Sequence, residues 1–250
     1  MIYVAASIWL LIAVLMAWGV HHLSSTMAKP RTLDVLLFPG TLVAYVGRTV
    51  ALLVAGAKIA PKAIAPPDKK DPKPYDGPLY EPSVPVFGPL VVGFVPFLFT
   101  VCAIFAVLSR LGLPVLNAVP HDQISAEFPT TLSVFWAQLR GVLTVAEVTF
   151  DAIRNTEMVN WRTALLTYLL ASLSIRLSPF KGNASGLLGA LAIIGAGTAL
   201  VGTLTTAPAD LIAGGWPHFC VVIGMLVLLM IATLIIRGIV STVRVLAHWH

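Results

Sequence analysis

Charge is what this sequence lacks. Of its 250 residues only 11% are Asp, Glu, Lys or Arg, against about a quarter in an ordinary soluble domain. Five stretches, 1–28, 82–109, 163–175, 182–209 and 211–236, contain none of the four. With 58% hydrophobic residues and a mean hydropathy of +0.90, the chain reads as an integral membrane protein. Cysteine is scarce as well. Cys102 and Cys220 both fall inside apolar runs, which excludes a disulfide framework and a cysteine-rich metal site. No Asp or Glu interrupts any apolar run, so no Ser-His-Asp or paired-carboxylate site can be assembled within the spans. A glycine-rich phosphate loop is missing too.

The sequence has six apolar runs, enough for an all-α polytopic fold. A span needs about 20 mainly apolar residues, and the runs place spans near 2–20, 34–57, 88–110, 161–178, 185–207 and 217–243 in a single membrane domain over 1–250. The first run has no basic lead and no small-x-small site before His21, so Ile2–Val20 reads as a retained helix. The net charge of +5 lies at span ends and in one loop, and nothing resembles a nucleic-acid-reading module. Six crossings put both termini on one side, with Lys58, Lys62, Lys69, Lys70, Lys73, Arg176, Lys181, Arg237 and Arg244. Lys29, Arg31, Arg110, Arg140, Arg154 and Arg162 take the other. The positive-inside rule then expects cytoplasmic termini, in a bacterial inner membrane.

Two segments outside the spans have their own character. The loop 58–87 is rich in proline and lysine, which forbids a helix or central strand and favours an extended connector. It is either a solvated linker or a strap on a partner subunit anchored by Tyr75, Tyr80 and Val84. Over 130–159 the residues Leu132, Phe135, Leu139, Val142, Ala146, Phe150 and Ile153 recur every three or four positions. That is one face of an amphipathic helix, with Thr130 placed to cap it. The helix lies at the interface, packs on the bundle, or re-enters the membrane.

Within the fifth run, Gly195, Ala199 and Gly202 fall near one face, a spacing that lets helix backbones approach closely. The histidines His21, His22, His121, His218, His248 and His250 sit at run ends or in loops, a poor arrangement for an axial cofactor ligand, and no cofactor or metal is expected.

Arg48 is the only charge between Val35 and Ala57. An arginine near mid-bilayer costs about 2.5–3.5 kcal/mol on insertion scales, so it must face protein, water or a partner. Its options are Tyr45, backbone carbonyls, hydroxyls such as Ser172, Ser174 or Thr198, and water. Beyond these lie Glu147 or Asp151 from a re-entrant helix, a lipid phosphate, or a carboxylate of another subunit.

The stretch Phe38-Pro39-Gly40 through Ala44-Tyr45-Val46-Gly47-Arg48 to Lys58 resembles the zinc-motif helix of membrane-embedded metalloproteases of the site-2 type. In that family an HExxH helix supplies two zinc ligands and a glutamate that activates water. The alignment puts Ala44 at the first ligand, Tyr45 at the general base and Arg48 at the second ligand. Gly88–Leu113 and Tyr168–Pro179 resemble two further family segments. Near the second the family places an aspartate ligand, and the nearest polar residue here is Asn183. The resemblance implies a pseudoprotease with no zinc and no catalysis, since alanine binds no metal and a permanent cation repels it. Three functions follow as expectations. The first is a non-catalytic scaffold or accessory subunit of a larger hetero-oligomeric membrane complex, with Arg48, Glu147 and Asp151 as contacts. The second is a transporter or channel component with Arg48 lining an anion path, and the third a protease with atypical ligands.

Overall fold

A computed structural model describes residues 2–27, 30–56, 58–59, 80–81, 87–119, 124, 131–155, 161–178, 184–202, 205 and 207–247. The described chain is helical except for one two-residue bridge. Its elements are α1 (Ile2–Met27), α2 (Pro30–Leu36), α3 (Phe38–Val54), β1 (Lys58–Ile59), β2 (Tyr80–Glu81), α4 (Phe87–Leu111), α5 (Leu113–Ala118), α6 (Leu132–Asn155), α7 (Trp161–Ile175), α8 (Ala184–Gly202) and α9 (Ala207–Ala247). The strands pair antiparallel, Lys58 with Glu81 and Ile59 with Tyr80, and so tie together the two ends of the proline-rich loop. Tyr75 and Val84, the other proposed anchors of that loop, lie outside the described residues.

Among the described residues four helices, not six, are long and apolar enough to cross a bilayer: Ala5–Met27, Phe87–Leu111, Ser185–Gly202 and Ala207–Thr242. The second run falls short because it is broken twice. Leu37 leaves helical geometry ahead of Pro39, separating α2 from α3. Gly56 then ends α3 in the left-handed region at φ 56°, a conformation glycine adopts without the steric penalty of a Cβ. That leaves α3 with 17 residues, about 25 Å at 1.5 Å per residue. The fourth run gives α7 only 15 residues.

Helix directions also depart from six alternating crossings, in which the first and fifth spans run parallel and the first and sixth antiparallel. Gly195 lies against Ser7 and Gly202 against the Tyr3 ring, so α1 and α8 are antiparallel. Leu10 lines a cavity with Phe219, and further along Val20 packs with Leu229 and Met230, so α1 and α9 are parallel. The helix directions are therefore not those of six alternating crossings.

The main core joins α1, α4, α6, α7 and α9 through Trp9, Ala13, Ile104, Leu108, Val145, Leu170, Ile223 and Leu226. The amphipathic segment is α6, capped by Thr131, whose hydroxyl accepts the Val134 N–H at 3.3 Å; Thr130 is outside the described residues. The helix packs on α9 and the short α5, with a face turned aside from, and overlapping, the one that carries the periodic apolar residues. Gln138, Gly141, Val145, Thr149 and Ala152 are buried, together with Ala146 and Ile153 from the apolar set. Leu132, Phe135, Leu139 and Phe150 are exposed, as are Trp136 and Leu143. The inward residues are mostly small, and Gly224 of α9 lets Val145 and Thr149 approach closely. Small residues allow the close backbone approach that helix–helix packing favours.

Candidate functional site

The three stretches that resemble the protease family come together in one helical cluster. α3 packs most heavily on α4, and α7 touches both. The contact is made by small residues along α3. Gly40, Thr41, Ala44, Gly47 and Ala51 are its buried positions. A Cβ added at Gly40 would collide with the backbone carbonyl of Ser172, and one at Gly47 would lie 2.8 Å from the Pro96 Cα. Pro96 sits inside α4, where it has no N–H to donate. Further along α3, Ala51 packs with Val92, so α3 and α4 run antiparallel.

At the α2–α3 corner the chain leaves polar backbone exposed to the core, and α7 supplies the partners. Leu37 occupies the N-cap of α3 and has no side-chain group to offer. The early N–H groups of a helix have no partner within the helix. Here Gly40 N–H donates to Ser172 Oγ at 2.8 Å, and the Ser172 hydroxyl donates to the Leu37 carbonyl at 3.0 Å. Ser172, fully buried on α7, thus does the work of an N-cap from another helix. Thr41 also donates to the Leu37 carbonyl, at 2.5 Å. The Tyr168 hydroxyl donates to the Leu36 carbonyl at 2.9 Å. Beyond them Arg176 and Asp34 form an ion pair at 2.5 Å, with Arg176 10% and Asp34 46% exposed. Neither Asp34 nor this pairing was expected from the sequence. A non-capping leucine before a Phe-Pro-Gly helix start was the available signal that a distant hydroxyl is required.

The positions of the zinc motif point different ways. Ala44 is 1% exposed in the small-residue contact and Tyr45 is half exposed. Arg48 is half-buried and has an interaction of its own, as does Tyr45. Of the hydroxyls offered to Arg48 by the sequence, Ser172 serves the α3 cap and Thr198 donates to the Gly195 carbonyl at 3.0 Å. Glu147 and Asp151 are exposed on α6, a helix whose main contacts are α9 and α5 rather than α3. Asp151 instead lines a groove with Pro114 and Asn155. Asn183 lies outside the described residues. Among the described residues no three His, Cys, Asp or Glu side chains gather as a metal site would require.

No family model, curated protein or solved structure matches this chain. What the site can do therefore rests on its own chemistry. Around Ala44 the groups at hand are backbone, alanine and glycine, which pack helices together. Ser172, Thr41, Tyr168, Arg176 and Asp34 tie the α2–α3 corner to α7 and to its own backbone, an arrangement that holds α3 on α7.

A second polar feature sits at the far end of α4. The His218 ring stacks on Phe105 at 4.3 Å between centroids, and its Nε2 lies 3.5 Å from Ser109 Oγ. Trp216 Nε1–H donates to the Ile124 carbonyl at 2.8 Å. These contacts fix the start of α9 on the end of α4 through aromatic packing.

Proposed function

We propose that this protein is a non-catalytic membrane scaffold or accessory subunit of a larger hetero-oligomeric complex, built on a helix arrangement like that of a site-2-type protease. The observation that carries this reading is the closed contact around Ala44. At the position where the protease motif has its first histidine, α3 buries alanine, flanked by Gly40 against Ser172 and Gly47 against Pro96. Space for a metal and its water has been given over to helix packing. The outward turn of α6 is further support, because it presents Leu132, Phe135, Trp136, Leu139 and Leu143 to whatever surrounds the bundle. A transmembrane helix of another subunit fits such a face as well as lipid does.

The parallel course of α1 and α9 supports a topology with termini on opposite faces. In that reading α2 and α3 enter and leave from one side, while α1, α4, α7, α8 and α9 cross. Lys29, Arg31, the lysines of the 58–87 loop, Arg176, Lys181, Arg237 and Arg244 then share the face where α1 and α9 end. Arg110, Arg140, Arg154 and Arg162 lie on the other. This imbalance is larger than the one six crossings give, and it makes the C-terminal face cytoplasmic by the positive-inside rule, in a bacterial inner membrane.

The test is isolation of the tagged full chain in mild detergent from its native membrane. The expected result is a stoichiometric set of co-purifying membrane subunits and no bound zinc. A lone monomer, or one zinc per chain, overturns the reading.

A further inference from the structure

The end of α4 and the start of α7 form a groove that the scaffold reading does not use. Arg110, in the last turn of α4, and Arg162, in the first turn of α7, line a cavity of about 370 Å³ together with Leu113, Pro114 and Leu166. Both arginines are exposed. The guanidinium of Arg162 also lies 5.7 Å from the centroid of the Trp161 ring. Pro114 forms a shared wall with a second groove of about 300 Å³, which holds Asp151 and Asn155. A cationic hollow thus adjoins an acidic one.

The depth of this site in the bilayer follows from sequence. The run 82–109 carries no charge and ends at Arg110, so Arg110 marks the level where hydrocarbon gives way to headgroups. An exposed tryptophan beside an arginine, as in Trp161-Arg162, is the side-chain pair found at that level. Two guanidinium forks recognise phosphate oxygens by charge-assisted hydrogen bonds. The neighbouring leucines offer apolar surface to an acyl chain.

We propose that this double groove binds a zwitterionic phospholipid headgroup. Arg110 and Arg162 hold its phosphate, and Asp151 takes the ammonium of an ethanolamine ester across Pro114. The site is independent of the scaffold reading, since it involves neither α3 nor a partner subunit.

Native mass spectrometry of the full chain, in detergent doped with one defined lipid at a time, tests the proposal. Phosphatidylethanolamine is expected to be retained in preference to phosphatidylglycerol, and both in preference to diacylglycerol. The double variant Arg110→Gln/Arg162→Gln should lose phospholipid by about tenfold or more. Asp151→Asn should abolish the preference for ethanolamine over glycerol headgroups while leaving phosphate-dependent retention. Inorganic phosphate in excess should not displace the lipid; displacement would show a free-anion site and overturn the lipid assignment. Equal retention of diacylglycerol overturns headgroup recognition, and so does unchanged binding in the double variant. An Asp151→Asn protein with unaltered preference overturns the ammonium half. If the arginine variant melts early, the lipid series on the unmodified chain still decides, because it needs no substitution.

Discussion

Replacing Ser172 by alanine removes the hydroxyl that caps α3 from α7. The Gly40 N–H, 2.8 Å from that oxygen, is left without its partner in a fully buried setting. The Leu37 carbonyl loses less, because Thr41 still donates to it through both its N–H and its hydroxyl. The cost is therefore that of one orphaned buried donor or one lost cap, about 1–2 kcal/mol. For a chain of this size that corresponds to a fall in Tm of about 2–8 °C. Gly40→Ala acts largely through other atoms, since its Cβ meets the backbone carbonyl of Ser172 as well as the Ser172 Oγ. Backbone cannot step aside, so overpacking of about 1–3 kcal/mol is expected, and trimming the serine side chain should relieve it only in part. The assay is thermal unfolding of the four proteins of the double-mutant cycle in one detergent. A Ser172→Ala protein that melts with the wild type would refute the trans-helix cap. Complete rescue of Gly40→Ala by Ser172→Ala would refute the backbone contact.

Asp34→Ala leaves the largely buried Arg176 guanidinium without its carboxylate, and should destabilise by about 1–2 kcal/mol, the half exposure of Asp34 tempering the loss; chemical denaturation of the detergent-solubilised protein measures it. Rebuilding the protease motif as Ala44→His/Tyr45→Glu/Arg48→His should yield no stoichiometric zinc by elemental analysis, and should lower Tm because a histidine does not fit where alanine is 1% exposed. Reporter fusions at the two termini should report opposite faces of the membrane, and reports from one face would remove the parallel α1–α9 arrangement. Gly224→Leu should drive α6 off α9 at Val145 and Thr149, seen as faster proteolysis within 132–155; protection equal to wild type would contradict that contact.

An all-helical membrane fold was legible from run lengths alone, because nothing else accommodates so much uncharged sequence. The number of crossings was not. Hydropathy does not register the break at Leu37, and the stop at Gly56 is a backbone event that composition hides. Periodicity found α6 and its apolar face but left open where that face points, and Leu132, Phe135, Leu139 and Phe150 turn out to be exposed. Of the candidate site residues, Ala44 ended in a tight helix contact and Tyr45 beside the surface. Arg48 has an interaction of its own within the chain. Glu147 and Asp151 were marked for their charge, and Asp151 now has a place, in a groove 37 residues along the chain from its Pro114 wall. Ser172 was read only as one hydroxyl among several for Arg48. Its service to Gly40 could be seen only once α7 and α3 were side by side.

The trans-helix cap has a consequence for how the protein is made. Gly40 and Ser172 are 132 residues apart. At a synthesis rate of about 5–20 residues per second, α3 waits about 7–26 s for its cap to leave the ribosome. During that interval its first turn has open N–H groups in or near the membrane, and Asp34 has no arginine. The N-terminal third of the chain is therefore an unfinished structure throughout translation. It becomes settled only when α7 arrives, which makes the α2–α3 corner the place where a holding factor would be needed.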